Sequence, residues 1–210
     1  MSRYLEPRCR ICRRAGEKLF LKGEKCRTNC PLDKEAQTRP QRGRRGRPRR
    51  ATPFASQLAE KQKIRFTYGV GERQFMRYFQ RALRKKGVTG HQIFRVLESR
   101  LDTFLRRSGF SLSQQQARQW ANHGHFLVNN RRVNIASFEL KPGDIVSIKP
   151  GASLSAHAAE NLRRSLDMGL HAPWIELDAE NLRATLVRLP ERDEIYPNIM
   201  DRLVVEFYTR

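Results

Sequence analysis

Four cysteines fall within the first 30 residues: Cys9, Cys12, Cys26 and Cys30. Their spacing is C-x2-C, thirteen residues, then C-x3-C. Zinc takes four soft donors in a tetrahedron, and two close pairs supply them from two turns. Arg8, Arg10, Arg13, Arg14, Lys25 and Arg27 surround the cysteines. That positive field lowers thiol pKa and offsets part of the charge of a tetrathiolate. A segment this short and polar cannot bury a core of its own, so a metal would supply the folding energy. One zinc ion held by the four thiolates is the expectation. An iron–sulfur cluster is less favoured, and four unligated thiols are the bland alternative. A redox dithiol is disfavoured because no βαβ pattern follows Cys9–Cys12.

The other residues able to do chemistry form no such set. His91, His123, His125, His157 and His171 are joined by no recognisable nucleophile or carboxylate constellation. Asp178, Glu191, Asp193 and Glu194 read as a solvated acidic face. No catalysis is expected.

What the chain carries in quantity is positive charge. Its 210 residues have a formal net charge of +21 and a sequence pI of about 10.9, which predicts a polyanionic partner, most simply nucleic acid. The charge is unevenly placed. Residues 1–50 are net +12, residues 51–110 net +9, residues 111–150 net +3 and residues 151–210 net −3. The binding surface is therefore expected in the first half, with extensions toward Arg132. Residues 39–50 hold seven arginines with two prolines and two glycines and no apolar side chain. Such a segment cannot offset the entropy of folding by itself, but it can lie along phosphates and release counterions. Long apolar runs are absent, so no membrane span is expected. The segment Met1-Ser2-Arg3-Tyr4-Leu5-Glu6-Pro7 has no apolar signal core, which points to a cytoplasmic protein.

Helices must position these charges. Pro53 is expected to open a helix through about Arg65, with Phe54, Leu58 and Ile64 inward and Lys61, Lys63 and Arg65 outward. Phe75, Phe79, Ala82 and Leu83 share one face of a helix over 72–86, leaving Arg73, Arg77, Arg81, Arg84 and Lys85 on the others. A third helix is expected from about His91 to Arg107, carrying Phe94, Leu97, Leu101, Phe104 and Leu105, with Arg100, Arg106 and Arg107 extending from it. Ser113 and Gln116 make a capping box for a short helix that ends at Gly124, with Ala117, Trp120 and Ala121 on its apolar face. A hairpin follows, with strands around Phe126-Leu127-Val128 and Arg131-Arg132-Val133 and the turn Asn129-Asn130. Lys141-Pro142-Gly143-Asp144 is a second turn, leading to a strand over Ile145–Lys149. Arg118, His123, His125, Arg131 and Arg132 are placed to line one side of this compact module.

Several stretches then become recognisable together. Leu97-Glu98-Ser99-Arg100-Leu101-Asp102, Gln116-Ala117-Arg118-Gln119, His123-Gly124-His125, Val133-Asn134-Ile135-Ala136-Ser137 and Lys141-Pro142-Gly143-Asp144 resemble the small-subunit ribosomal protein of the S-four family. Cys9–Cys12, Leu19-Phe20-Leu21-Lys22-Gly23, Tyr68-Gly69-Val70, Glu72-Arg73-Gln74-Phe75 and Val204-Val205-Glu206-Phe207-Tyr208 match as well, so the resemblance runs through the whole chain in order. There are departures. Asn129-Asn130 replaces an Asn-Gly turn, Gln114 replaces an Arg after Ser113, and Phe66 replaces an Arg.

The resemblance implies a primary binder of small-subunit ribosomal RNA that nucleates assembly of the subunit body. It also implies contact with the neighbouring S-five protein, a role in translational accuracy, and a place near where messenger RNA enters. Members with this cysteine pattern are similar to zinc-binding forms. Two rival readings are weaker. An RNA-modifying enzyme needs a catalytic domain for which no room remains, and a stress-type RNA chaperone needs only the module and a basic tail.

The expected fold is α+β: a mainly helical body interrupted by a small helix-plus-antiparallel-hairpin RNA-binding module, with an N-terminal metal-binding extension. The expected division is residues 1–50, then 51–96 with 172–210, then 97–171 for the module. Expected RNA contacts at the N-terminal end are Arg3, Arg10, Arg13, Arg14 and Lys22, and in the linker Arg42, Arg44, Arg45, Arg47, Arg49 and Arg50. The helical body adds Lys61, Lys63, Arg65, Tyr68, Arg73 and Arg77. The module adds Arg100, Arg107, Gln116, Arg118, His123, Arg131 and Arg132. No homo-oligomer is expected.

Overall fold

The structure is a computed structural model that describes residues 4, 6–38, 52–195 and 199–209. The Arg39–Arg50 linker and Arg3 lie outside the described residues. The chain divides into two compact units, residues 1–77 with 198–210, and residues 78–197.

The first unit is helical. α1 (Arg8–Ala15), α2 (Lys25–Thr28) and α3 (Pro31–Thr38) precede α4 (Pro53–Tyr68), and α5 (Glu72–Leu83) begins here and continues into the second unit. Ile11, Cys12, Leu19 and Leu21 form a small core, against which Tyr4, Ala15 and Phe66 pack. The rings of Tyr4 and Phe66 meet edge-on at 5.7 Å. An apolar residue at position 66 thus ties α4 to the cysteine-bearing segment.

α4 starts where Thr52 Oγ1 accepts from the Ala55 amide and Pro53 fills the first turn, whose amides need no partner. It stops at Gly69, whose φ of 61° is the left-handed conformation that a helix C-cap uses. Its buried face differs from the expected one. Gln57, Lys61, Ile64 and Tyr68 are buried, whereas Phe54 is exposed. The reason is the partner: α10 (Asp201–Tyr208) packs on this face with charged and aromatic side chains. Gln57 donates to Glu206 at 3.1 Å, and the Glu60 carboxylate accepts from the Met200 amide at 3.0 Å. Lys61 Nζ sits 4.4 Å from the centre of the Phe207 ring and 2.9 Å from Glu72.

In the second unit, the single helix expected from His91 to Arg107 is two helices, α6 (Thr89–Glu98) and α7 (Leu101–Arg107). Arg100 is extended, with φ −71° and ψ 141°. Around it the backbone turns outward to bond the loop 136–140. Ser99 O accepts from Leu140 N at 2.7 Å, Leu101 N donates to Phe138 O at 2.8 Å, and Asp102 N donates to Ala136 O at 3.0 Å. Phe94, Leu97, Leu101, Phe104 and Leu105 are all buried regardless. Both helices face one core, so the apolar spacing runs through the break.

α8 (Gln114–Asn122) is capped by Ser113, whose Oγ accepts from the Gln116 amide. The Gln116 side chain returns to the Leu112 amide at 2.9 Å, one residue earlier than a reciprocal box. Beyond it lies a five-stranded antiparallel sheet in the order β2-β1-β3-β5-β4. The strands are β1 (Phe126–Val128), β2 (Arg131–Val133), β3 (Ile145–Ile148), β4 (Ile175–Asp178) and β5 (Arg183–Leu186). Asn129 and Asn130 both have positive φ, 50° and 64°, as a two-residue hairpin turn requires. Asn129 offsets that strain by bonding Asp144 and the Ile145 amide through its side chain.

β4 and β5 pair with the module's sheet, so residues 175–186 belong with it rather than with the helical body, as the expected division at residue 171 had it. α9 (Ser155–Asp167) contributes Ala158 and Leu162 to the buried set, and Asn161 bonds the Phe110 carbonyl at 3.0 Å.

Candidate functional site

The four cysteines come together. Cys9, Cys12, Cys26 and Cys30 line one pocket with Arg8, Leu21, Lys22 and Leu32. All four are free thiols, and Cys12, Cys26 and Cys30 are buried. The Lys22 amide donates to Cys26 Sγ at 3.2 Å. Burial pushes the Cys12 thiol up; the Leu19 amide opposes this, and the other three sulfurs add to it. The donor chemistry, four sulfurs with backbone amides directed at two of them, is the kind that a tetrathiolate metal site uses. Among the described residues, no group of three or more His, Cys, Asp or Glu side chains is drawn together closely enough to hold an ion as placed.

The expected RNA contacts divide into two classes. The first is exposed. Arg13 and Arg14 end α1, Arg73 and Arg77 lie one turn apart on α5, His123 follows α8, and Arg131 and Arg132 lie on β2. Arg14, Arg73, Arg77 and Arg131 make no ion pair with any described carboxylate. Lys22 is exposed at the cysteine pocket, and Arg10 is exposed but paired with Glu6 at 2.9 Å.

The second class is spent inside the protein, contrary to expectation for Lys61, Lys63, Arg65 and Arg100. Lys61 is 5% exposed. Lys63 pairs with Glu17 and Glu60, and Arg65 with Glu72 at 2.6 Å. Tyr68 is buried. Arg100, expected to extend outward, is completely buried, and it donates two bonds to Asp102 at 2.9 and 2.6 Å and one to the Tyr78 hydroxyl. Burial alone would lower the Arg100 pKa, but Asp102 and Tyr78 hold it above its ordinary value. Arg118 donates to the same Asp102 oxygen at 3.1 and 2.8 Å. Arg107 holds the buried Glu98 at 2.9 and 3.2 Å and lies over the Trp174 ring. Gln116 serves the Leu112 amide, as described above.

Two carboxylates that charge counting passed over are therefore central. Glu98 and Asp102 are buried anchors for three arginines. Asp102 with Arg100 and Arg118 carries a net +1, because one carboxylate faces two guanidiniums. Arg118 is the member that is partly exposed. The readable signal was the carboxylates at 98 and 102 flanking Arg100.

Arg132 reaches back over Gly124. Its Nε donates to the Gly124 carbonyl at 3.1 Å and its Nη2 to the His123 carbonyl at 3.2 Å. Gly124 has a φ of 69°, and a Cβ there would stand 2.5 Å from Arg132 Nε. Only glycine allows that approach.

A small helix-and-sheet module that exposes Arg131 and Arg132, joined to a helical unit that exposes Arg13, Arg14, Arg73 and Arg77, has the make-up of a nucleic-acid-binding protein. Residues 3–98 match the family described as Ribosomal protein S4/S9 N-terminal domain, and residues 99–146 match the S4 domain. The boundary between the two matches falls on the break between α6 and α7. Small ribosomal subunit protein uS4 of Natranaerobius thermophilus is 47% identical over 212 positions that cover all of both chains. Small ribosomal subunit protein uS4A of Symbiobacterium thermophilum is 46% identical over 211 positions, and uS4 of Acidithiobacillus ferrooxidans is 44% identical over 212, again over both full lengths. The chain belongs to the small ribosomal subunit protein uS4 family.

Proposed function

We propose that the chain is a structural constituent of the small ribosomal subunit, located in the cytoplasmic ribosome, that binds small-subunit ribosomal RNA. It is not an enzyme. The observation that carries this reading is end-to-end likeness to small-subunit proteins at 44–47% identity. The mechanism is positional. Exposed arginines on α1, α5 and β2 neutralise phosphates, and the helical shape of the RNA is matched by a surface that buried ion pairs keep rigid.

The finer parts follow from the same reading. Cys9, Cys12, Cys26 and Cys30 hold one zinc ion, which supplies no chemistry beyond crosslinking the turns of residues 8–30. Arg39–Arg50 lies along RNA. The protein binds early and nucleates the subunit body. It abuts the neighbouring S-five family protein near where messenger RNA enters, and there it supports accuracy.

Filter binding of the purified protein to transcribed small-subunit ribosomal RNA tests the RNA reading. Tight binding that weakens as salt rises from 50 to 200 mM, by about 10³-fold for six phosphate contacts, is expected. Equal affinity for an unrelated structured RNA of the same length would overturn it.

A further inference from the structure

The loop between α8 and β1 sets two imidazoles side by side. The rings of His123 and His125 lie 5.8 Å apart, tilted by 56°. Gly124 between them gives its Cβ space to the Arg132 guanidinium, which is pinned by the carbonyls of His123 and Gly124. The Lys149 amide donates to the His125 carbonyl at 2.9 Å, which brings that lysine to the same place. The charged groups that act on His125 are thus His123 from its own loop, Arg132 from β2 and Lys149 from the end of β3. None is acidic. His123 is exposed, as are Arg132 and Lys149, while His125 is half-buried.

Two fixed cations beside two titratable rings form an anion seat whose charge is not constant. We propose that His123, His125, Arg132 and Lys149 form a proton-coupled phosphate seat, so that RNA binding at this edge of the module takes up a proton from solvent. This rests on the ribosomal RNA reading and deepens it. A phosphate placed against Arg132 and Lys149 adds negative charge within reach of both rings and favours their protonated form. Burial, helped by His123, Arg132 and Lys149, holds His125 below its ordinary value in the free protein, so this ring starts neutral near pH 7. The bound state therefore holds more protons than the free state, and affinity rises as pH falls. The limit is tenfold per pH unit for each proton taken up, and the gain levels off once the free rings are protonated.

The test is filter binding of the full chain to transcribed small-subunit ribosomal RNA, at pH 7.5 and pH 6.0 and constant ionic strength. Wild type is expected to bind about three- to tenfold more tightly at the lower pH. His123→Gln and His125→Gln should each shrink that ratio, and the double variant should bring it near one. The exposed His123 keeps the test valid if His125→Gln perturbs folding. Lys149→Gln should weaken binding at both pH values. A wild-type affinity that does not change with pH overturns the proposal alone. A pH ratio retained in the double variant also overturns it, because the proton is then taken up elsewhere. An unchanged affinity in Lys149→Gln removes the seat. No binding at either pH overturns the ribosomal RNA reading and the proposal with it.

Discussion

Replacing Asp102 by Asn strikes the most buried charge cluster of the second unit. The Asp102 and Arg100 side chains are 0% and 1% exposed and are joined by two bonds of 2.9 and 2.6 Å, and Arg118 adds two more at 3.1 and 2.8 Å. Asn keeps the shape but removes the negative charge, leaving a completely buried guanidinium facing only an amide and the Tyr78 hydroxyl. Breaking a buried ion pair from one side costs about 3–5 kcal/mol, a large part of a stability of roughly 5–15 kcal/mol. At about 2–4 °C per kcal/mol for a chain of this size, the melting temperature should fall by on the order of 10 °C. Circular dichroism melts of the free protein in moderate salt give the number. Arg81→Met is the control: it breaks the pairing of Arg81 with Glu139 at the surface and should cost less than about 1 kcal/mol. An Asp102→Asn protein that melts within about 2 °C of wild type, or no lower than Arg81→Met, would refute the assignment of Arg100 and Asp102 as a load within the core.

Three further outcomes are expected. If the proposed zinc is held there, Cys26→Ser should lower the zinc that copurifies with the protein, read by elemental analysis, and raise proteolysis within residues 8–38 while residues 99–186 stay protected; global unfolding would contradict the separation. Lys61→Met should leave the salt slope of RNA binding unchanged, since Lys61 is buried against Phe207 and Glu72, whereas Arg77→Gln should lower the slope by about one contact's worth. Burial pushes the Glu72 carboxyl up, but bonds from Tyr208 and Lys61 outweigh it, so its pKa lies below the ordinary 4.5. The stabilisation is therefore complete above about pH 4.5 and is lost as pH falls through the depressed value. Hydrogen exchange should show α10 losing protection in that window, and Glu72→Gln should lose it already at pH 6 with less further dependence on pH.

The elements with local signals were legible. Ser113 before an apolar run, the paired asparagines at 129–130 and Lys141-Pro142-Gly143-Asp144 all mark features that depend on neighbours in sequence, and the structure places a cap, a turn and a turn there. The two cysteine pairs were legible for the same reason, and the structure lines one pocket with all four. What escaped depends on distant partners. The face of α4 could not be read because its partner, α10, lies more than 130 residues away and brings Glu206 and Phe207 rather than aliphatic side chains. The break at Arg100 was hidden because α6 and α7 bury one continuous apolar stripe. β4 and β5 were missed, although Asp178 marks the turn between them. It accepts from the Asn181 amide at 3.0 Å and from the Asn181 side chain at 2.7 Å, so a residue that read as part of a solvated acidic face organises a hairpin. Arginines were the hardest to sort. Counting charge treats Arg77 and Arg100 alike, and only the carboxylates around each one separate a phosphate contact from a core ion pair.

Sedimentation of cell extract through a sucrose gradient in moderate salt, with the protein followed by antibody, tests the central claim most directly. The protein is predicted to travel with the small ribosomal subunit and to be released only at high salt. Recovery chiefly in the free-protein fractions would contradict the account.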